Sequence, residues 1–192
     1  MTMRQVAQAA AWVSAAAAAA GVLIVLGVFG HFTIPSASME PTVKPGTRIW
    51  TRPASGHARL HDVVLLEPPA GPSVRFEKVI ARVVAVGGDT VEAAGGKLVV
   101  NGKEAVEPYV STETPTPDIE PVSVPLGTVY VLGDNRTNSQ GSRVYGPVPT
   151  GNVRGRVVWI GAPPTVAVLG LAAVMCLPLL AVAAGRRKTP EG

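Results

Sequence analysis

From Ala9 to Gly30 no residue carries a charge, and a second uncharged run extends from Thr165 to Gly185. At about 1.5 Å per helical residue, either run is long enough to cross a hydrocarbon layer roughly 30 Å thick. The two runs account for a composition that is 47% hydrophobic yet only 5% aromatic, too apolar for an ordinary soluble domain. They confine any water-exposed fold to the residues between them. Arg4 precedes the first run and the small residues Ser36-Ala37-Ser38 lie beyond it, which is the outline of a cleaved export signal. The apolar part of such a signal is only about 7–15 residues long, so the run reads instead as an uncleaved anchor. The second run follows Pro163 and Pro164, tolerated in a first helical turn, and stops at Arg186-Arg187-Lys188. Basic clusters beside a span stay in the cytoplasm. The expected organisation is a cytoplasmic N-terminus (1–8), a transmembrane anchor (9–30), an extracytoplasmic domain (31–160), a second transmembrane helix (164–185) and a basic cytoplasmic tail (186–192). The chain is thus expected to be a multi-pass protein of the cytoplasmic membrane with both termini inside.

Between the runs there is no long amphipathic helical period. Short valine-rich stretches bounded by glycine and proline predict an all-β domain. The expected strands are Arg48 to Thr51, Asp62 to Leu66, Phe76 to Val86, Thr90 to Ala93, Lys97 to Val100 and Thr128 to Leu132. Asn101-Gly102 follows Leu98-Val99-Val100, and this dipeptide suits a two-residue hairpin turn with positive φ at both positions. Ser111 to Pro125 contains Pro115, Pro117, Pro121 and Pro125, which predicts an irregular surface loop.

The net charge of +4 owes part of its excess to the Arg-Arg-Lys tail, and no basic helix with interleaved aromatics is present, so nucleic acid is not an expected partner. Membrane lipid is the better partner for the remaining basic residues. The single cysteine, Cys176, lies in the second run, so the domain between the runs can hold no internal disulfide and must be stabilised by a packed core. His57 and His61 stand four apart, but Pro53 and Gly56 argue against a helix there and no third ligand follows, so no metal site is expected.

Directly after the first run comes Ile34-Pro35-Ser36-Ala37-Ser38-Met39-Glu40-Pro41-Thr42, hydroxyls held between prolines that fix φ near about −65°. On spacing alone the simpler reading is a linker of small polar residues leaving a membrane helix. A second polar segment is Gly133-Asp134-Asn135-Arg136-Thr137-Asn138-Ser139-Gln140-Gly141-Ser142-Arg143, which as local physics is a strand running into a turn. Ser-Met-x-Pro-Thr after an anchor resembles the nucleophile motif of the signal peptidase I family, and Gly-Asp-Asn-Arg-x-Asn-Ser-x-x-Ser-Arg resembles a second signature of that family. Leu60-His61-Asp62-Val63-Val64 and Arg82-Val83-Val84-Ala85-Val86-Gly87-Gly88-Asp89 are similar to two of its strands.

The resemblance implies a compact all-β catalytic domain, here flanked by two transmembrane helices, and a serine-lysine dyad that cuts signal peptides from exported preproteins. It implies no cofactor. Ser38 would be the nucleophile, the Ser38 N–H and Ser36 hydroxyl would face the oxyanion, and Ser139 would orient the base. Met39, Pro41, Asp134, Asn135, Arg136 and Arg143 would complete the structural motif. Larger members carry an extra β domain, for which only the hairpin and the proline-rich loop leave room here. At the position of the family's lysine, directly before the arginine of the Arg-Val-Val strand, stands Ala81. Lys78 takes that role if Val79-Ile80-Ala81 is an insertion. Because an odd shift along a strand turns a side chain to the opposite face, this reading requires a bulge. The alternatives are a catalytically inactive binder of signal peptides and a maturation peptidase of the same fold with a narrow client. A second departure is Gly141, where the family has an aspartate that pairs with the following arginine, so Arg143 needs another partner. Nothing in the sequence sets the oligomeric state.

Overall fold

The computed structural model describes residues 29–54, 57–71, 74 and 76–162, together with positions 2, 5, 8, 12, 13, 15 and 16. Most of the two uncharged runs, and with them the expected membrane spans, lie outside the described residues. Among the described residues no helix is long and apolar enough to cross a membrane. The residues between the runs form one compact unit, Gly30–Gly161.

That unit is mainly β. Its strands are β1 (Gly30–Thr33), β2 (Arg48–Pro53), β3 (Val63–Leu66), β4 (Val79–Val86), β5 (Thr90–Ala94), β6 (Lys97–Val100), β7 (Lys103–Glu104), β8 (Ile119–Ser123), β9 (Thr128–Leu132), β10 (Val148–Pro149) and β11 (Val153–Ile160). A single-turn helix, α1 (Ser142–Tyr145), and a 3₁₀ turn, Thr150–Asn152, connect the last strands. Seven strands form one sheet in the order β1-β2-β11-β3-β4-β9-β10, and four form a second, β7-β6-β5-β8. Every pairing is antiparallel, so short turns suffice to link neighbouring strands.

β4 organises the interior because it is buried on both faces. Ala81 and Val83 join Val64, Leu66, Val129, Val131, Val148 and Val153 in one apolar cluster. On the opposite face Ile80 packs with Ile34, Met39, Val43 and Ile49. The pairing of β4 with β9 shifts register between Val83 and Ala85. Such a bulge sets the alternation of side chains aside locally, and Val84 and Ala85 both enter the third cluster with Val91, Leu98, Ile119, Tyr130 and Leu132. That cluster lies between the small sheet and β4–β9.

The turn at Asn101-Gly102 has positive φ at both residues, 53° and 72°, and joins β6 to β7 with Val100 opposite Lys103, as its sequence predicts. Four expectations need correction. Phe76 to Lys78 do not belong to β4, which starts at Val79; all three are exposed, so no buried face draws them into the ladder. The 111–125 segment is not wholly irregular, because Ile119–Ser123 is β8. Pro121 is accommodated since β8 is an edge strand, where one unpaired N–H is no loss. The space after β4 holds a four-stranded sheet that packs on β4 and β9 through a shared apolar cluster, more than a hairpin and a loop. Finally β11, absent from the expected strands, is an eight-residue strand between β2 and β3.

Candidate active site

Met39 and Val43 are fully buried beside Ile34 and Ile80 and anchor the loop after β1 from beneath. Ile34 is held by Thr47 and Gly46, its N–H donating to the Thr47 carbonyl (3.0 Å) and its carbonyl accepting from the Gly46 N–H (2.7 Å). Pinned at both ends, residues 35–38 ride on the rim. The Ser36 and Ser38 hydroxyls lie 3.1 Å apart, so each is within hydrogen-bonding reach of the other.

The second polar segment packs against this rim. Asn135 donates from its backbone N–H to the Ser38 carbonyl (3.1 Å) and from its side chain to the Ala37 carbonyl (3.2 Å). Gly133 makes the approach possible: a Cβ there would lie 2.5 Å from the Ser38 carbonyl oxygen and would also collide with Ser139. Asp134 is fully buried and meets Arg82 of β4 in a two-pronged ion pair, Nε to Oδ1 at 2.8 Å and Nη2 to Oδ2 at 2.6 Å. Thr42 donates to the same carboxylate, and Arg82 also reaches the His61 carbonyl at 3.0 Å. Burial opposes the Arg82 charge, but the hydrogen bonds and charge of Asp134 outweigh it and raise its pKa. Such a bidentate pair fixes direction as well as distance. It joins β4 to the polar segment directly beneath the serine loop.

One cleft of about 570 Å³ is lined by Ser36, Ser38, Lys78, Ile80, Ser139 and Phe76, among others. Lys78 lies one residue before β4, and it shares the cleft with Val79 and Ile80. Ala81 is fully buried and faces the opposite cluster. The β3–β4 register runs unbroken from Leu66↔Val79 to Val63↔Arg82, so Val79-Ile80-Ala81 carries no bulge of the kind expected; the bulge of β4 comes later. Lys78 reaches the cleft from the residue before β4, and within β4 Ile80 and Arg82 share a face by simple alternation. Glu67, just past the end of β3, pairs with Arg154. Its hydrogen bond from Arg154 (2.6 Å), and more weakly the charges of Arg154 and Lys78, hold its carboxyl below the usual range.

Arg136 is buried too, and its partners come from the connector between β7 and β8. It donates to both oxygens of Glu107, to the Thr116 hydroxyl and, through Nε, to the Gly133 carbonyl at 3.0 Å. Tyr109 stacks on Arg82, with the guanidinium carbon 3.8 Å from the ring centre, and its hydroxyl donates to Glu107 at 3.0 Å. Burial first, and then the Glu107 charge and hydrogen bond, push the Tyr109 phenol well above the usual value. Glu107 and Tyr109 escape sequence reasoning, since a charge and an aromatic in a proline-containing connector carry no periodic signal. Arg143 is exposed and forms no ion pair among the described residues. The glycine before α1 explains the missing aspartate: a Cβ at Gly141 would lie 2.6 Å from the Val131 carbonyl oxygen. The close approach lets the Val131 N–H donate to the Ser142 hydroxyl at 2.9 Å.

The sequence model of the family described as "Signal peptidase, peptidase S26" matches residues 6–161. "Thylakoidal processing peptidase 1, chloroplastic" of Arabidopsis thaliana is 38% identical over 143 residues, which cover 69% of this chain and 42% of that protein. "Signal peptidase I" of Leptolyngbya laminosa is 35% identical over 152 residues, covering 69% of this chain and 73% of that protein. A solved signal peptidase I from Enterococcus faecalis V583 aligns with a TM-score of 0.46 at 28% identity, over 53% of this chain and 97% of that one. The chain therefore spans about two fifths of the length of the plant relatives it matches. With the family matched over most of its length, and with a relative 38% identical across more than two thirds of it, this chain belongs to the signal peptidase family, peptidase S26.

Proposed function

We propose that the chain is a serine endopeptidase that removes N-terminal signal peptides from exported preproteins, with Ser38 as nucleophile and Lys78 as general base. The observation that carries this reading is the meeting of Ser36, Ser38, Lys78 and Ser139 in one cleft. Ser38 Oγ attacks the scissile carbonyl while its proton passes to the Lys78 amine, which must be neutral to accept it. The oxyanion faces the Ser38 N–H and the Ser36 hydroxyl, whose 3.1 Å contact with Ser38 keeps it beside the reacting oxygen. Lys78 then protonates the leaving amine, and a water deprotonated by Lys78 hydrolyses the acyl-enzyme. Ser139 orients the lysine. An extended substrate lying in the cleft presents alternate side chains to one wall, which selects small residues one and three positions before the cut.

The two uncharged runs would hold this unit at the outer face of the cytoplasmic membrane, against the lipid and beside substrates that are themselves membrane-inserted, raising their effective concentration. A second reading, an inactive signal-peptide binder, draws on Ala81 and Gly141, where the family has lysine and aspartate.

Cleavage of a model preprotein in detergent by the wild type, Ser38→Ala and Lys78→Ala separates the two. Loss of all cleavage in Ser38→Ala and a loss of about 10²–10⁴ in rate in Lys78→Ala, with circular dichroism unchanged, is the expected result. A folded wild type that binds the preprotein without cutting it would leave the binder.

A further inference from the structure

The connector between β7 and β8 sends two side chains, two residues apart, onto two buried arginines. Glu107 takes Arg136, and Tyr109 lies on Arg82. Each arginine in turn holds one of two consecutive residues of the polar segment. Arg136 Nε donates to the Gly133 carbonyl and Arg82 grips the Asp134 carboxylate. Gly133 lies against both Ser139 and the Ser38 carbonyl, too close for any side chain. Two parallel chains of contact thus run from the connector to the backbone beneath the cleft: Glu107 to Arg136 to Gly133, and Tyr109 to Arg82 to Asp134. The Tyr109–Glu107 hydrogen bond ties them together.

We propose that Glu107 and Tyr109 are positioning residues of the peptidase site, and that the β7–β8 connector acts as a clamp setting the distance between Ser139 and the Ser38 loop. This rests on the catalytic reading given above. Both ion pairs are shielded from water: the Arg136 and Glu107 side chains are 2% and 10% exposed. A pair in such surroundings keeps its geometry, whereas an exposed one is loosened by solvent and salt. With Glu107 gone, Arg136 retains Gly133 and Thr116 but loses the two-pronged partner that fixes its plane, so the Gly133 carbonyl is no longer held at one distance. Displacement of a catalytic group by about 1 Å can lower the rate roughly 10²-fold.

The test is a double-mutant cycle on the full chain in detergent. Glu107→Ala and Arg136→Ala should each lower kcat about 10- to 100-fold while KM stays within about threefold, because the clamp touches no substrate. The double variant should be no slower than Arg136→Ala, since Glu107 acts through Arg136. Glu107→Gln, which keeps an acceptor for one Arg136 N–H, should recover part of kcat. Additive losses, a loss carried by KM, or no loss overturns the clamp. Amide hydrogen exchange gives the second readout, independent of activity. Residues 133–139 should exchange faster in Glu107→Ala than in the wild type, with β5 and β6 unchanged. If the wild type cuts no preprotein, the catalytic reading fails while exchange still decides the clamp; exchange unchanged at 133–139 overturns it.

Discussion

Tyr145, the last residue of α1, packs against the valine cluster of β3, β4 and β9 with its hydroxyl buried, and that hydroxyl has no hydrogen-bond partner among the described residues. An unsatisfied buried hydroxyl costs about 1–3 kcal/mol, and phenylalanine keeps the ring. Tyr145→Phe should therefore raise stability by roughly 1 kcal/mol, read from urea or thermal unfolding. Burial also raises the Tyr145 pKa above its ordinary value. The sign follows directly: the unfolded phenol ionises first, so stability is full below about pH 10 and falls as pH rises beyond it. The phenylalanine variant should lack that part of the alkaline loss. Site residues divide in a similar way. That Ser36, Ser38 and Ser139 share one cleft was legible because each sits in a short contiguous motif. Glu107 and Tyr109 were not, because an ion pair spanning twenty-nine positions leaves no trace in local spacing.

At the level of elements, β4 decides which side chains near its start can look toward the serine loop. Its odd positions before the bulge face the valine cluster, while Ile80 faces the serine loop. A lysine at 81 would enter a fully apolar cluster around Val64, Leu66 and Val131, with no partner for its charge. Ala81→Lys should thus cost several kcal/mol in stability and should not restore cleavage to Lys78→Ala. Recovery of activity in the doubly substituted chain would overturn the facing of β4. Valine-rich alternation made β3, β4, β6 and β9 legible. It misplaced the start of β4 because Phe76 reads as a strand residue although it is 57% exposed. β8 was hidden by Pro121, whose effect depends on an edge position that only the assembled sheet defines. β11 was hidden by Arg154, Gly155 and Arg156, which interrupt its apolar run; Gly155 is needed where the strand passes Thr51, with a Cβ only 3.0 Å from the threonine Cβ.

On the scale of the whole molecule, the β unit lies in the chain between two uncharged runs, and the basic residues outside it are Arg4 before the first and Arg186-Arg187-Lys188 after the second. Lysine and arginine flanking a span resist transfer across the membrane, so both ends should remain inside while the unit between them is exported. Cysteine accessibility tests this directly in a Cys176→Ser background, which removes the native thiol. A cysteine replacing Leu126, which is 85% exposed on the β unit, should react with a membrane-impermeant maleimide in intact cells. Cysteines replacing Thr2 or Glu191 should react only after permeabilisation. If the cysteine at 191 reacts in intact cells, the second run does not cross. The Arg-Arg-Lys tail would then lie on the same face as the cleft, where it would attract anionic headgroups instead of marking the cytoplasm. The assignment of sidedness from charge would fail with it, although the cleft and its chemistry would be unaltered.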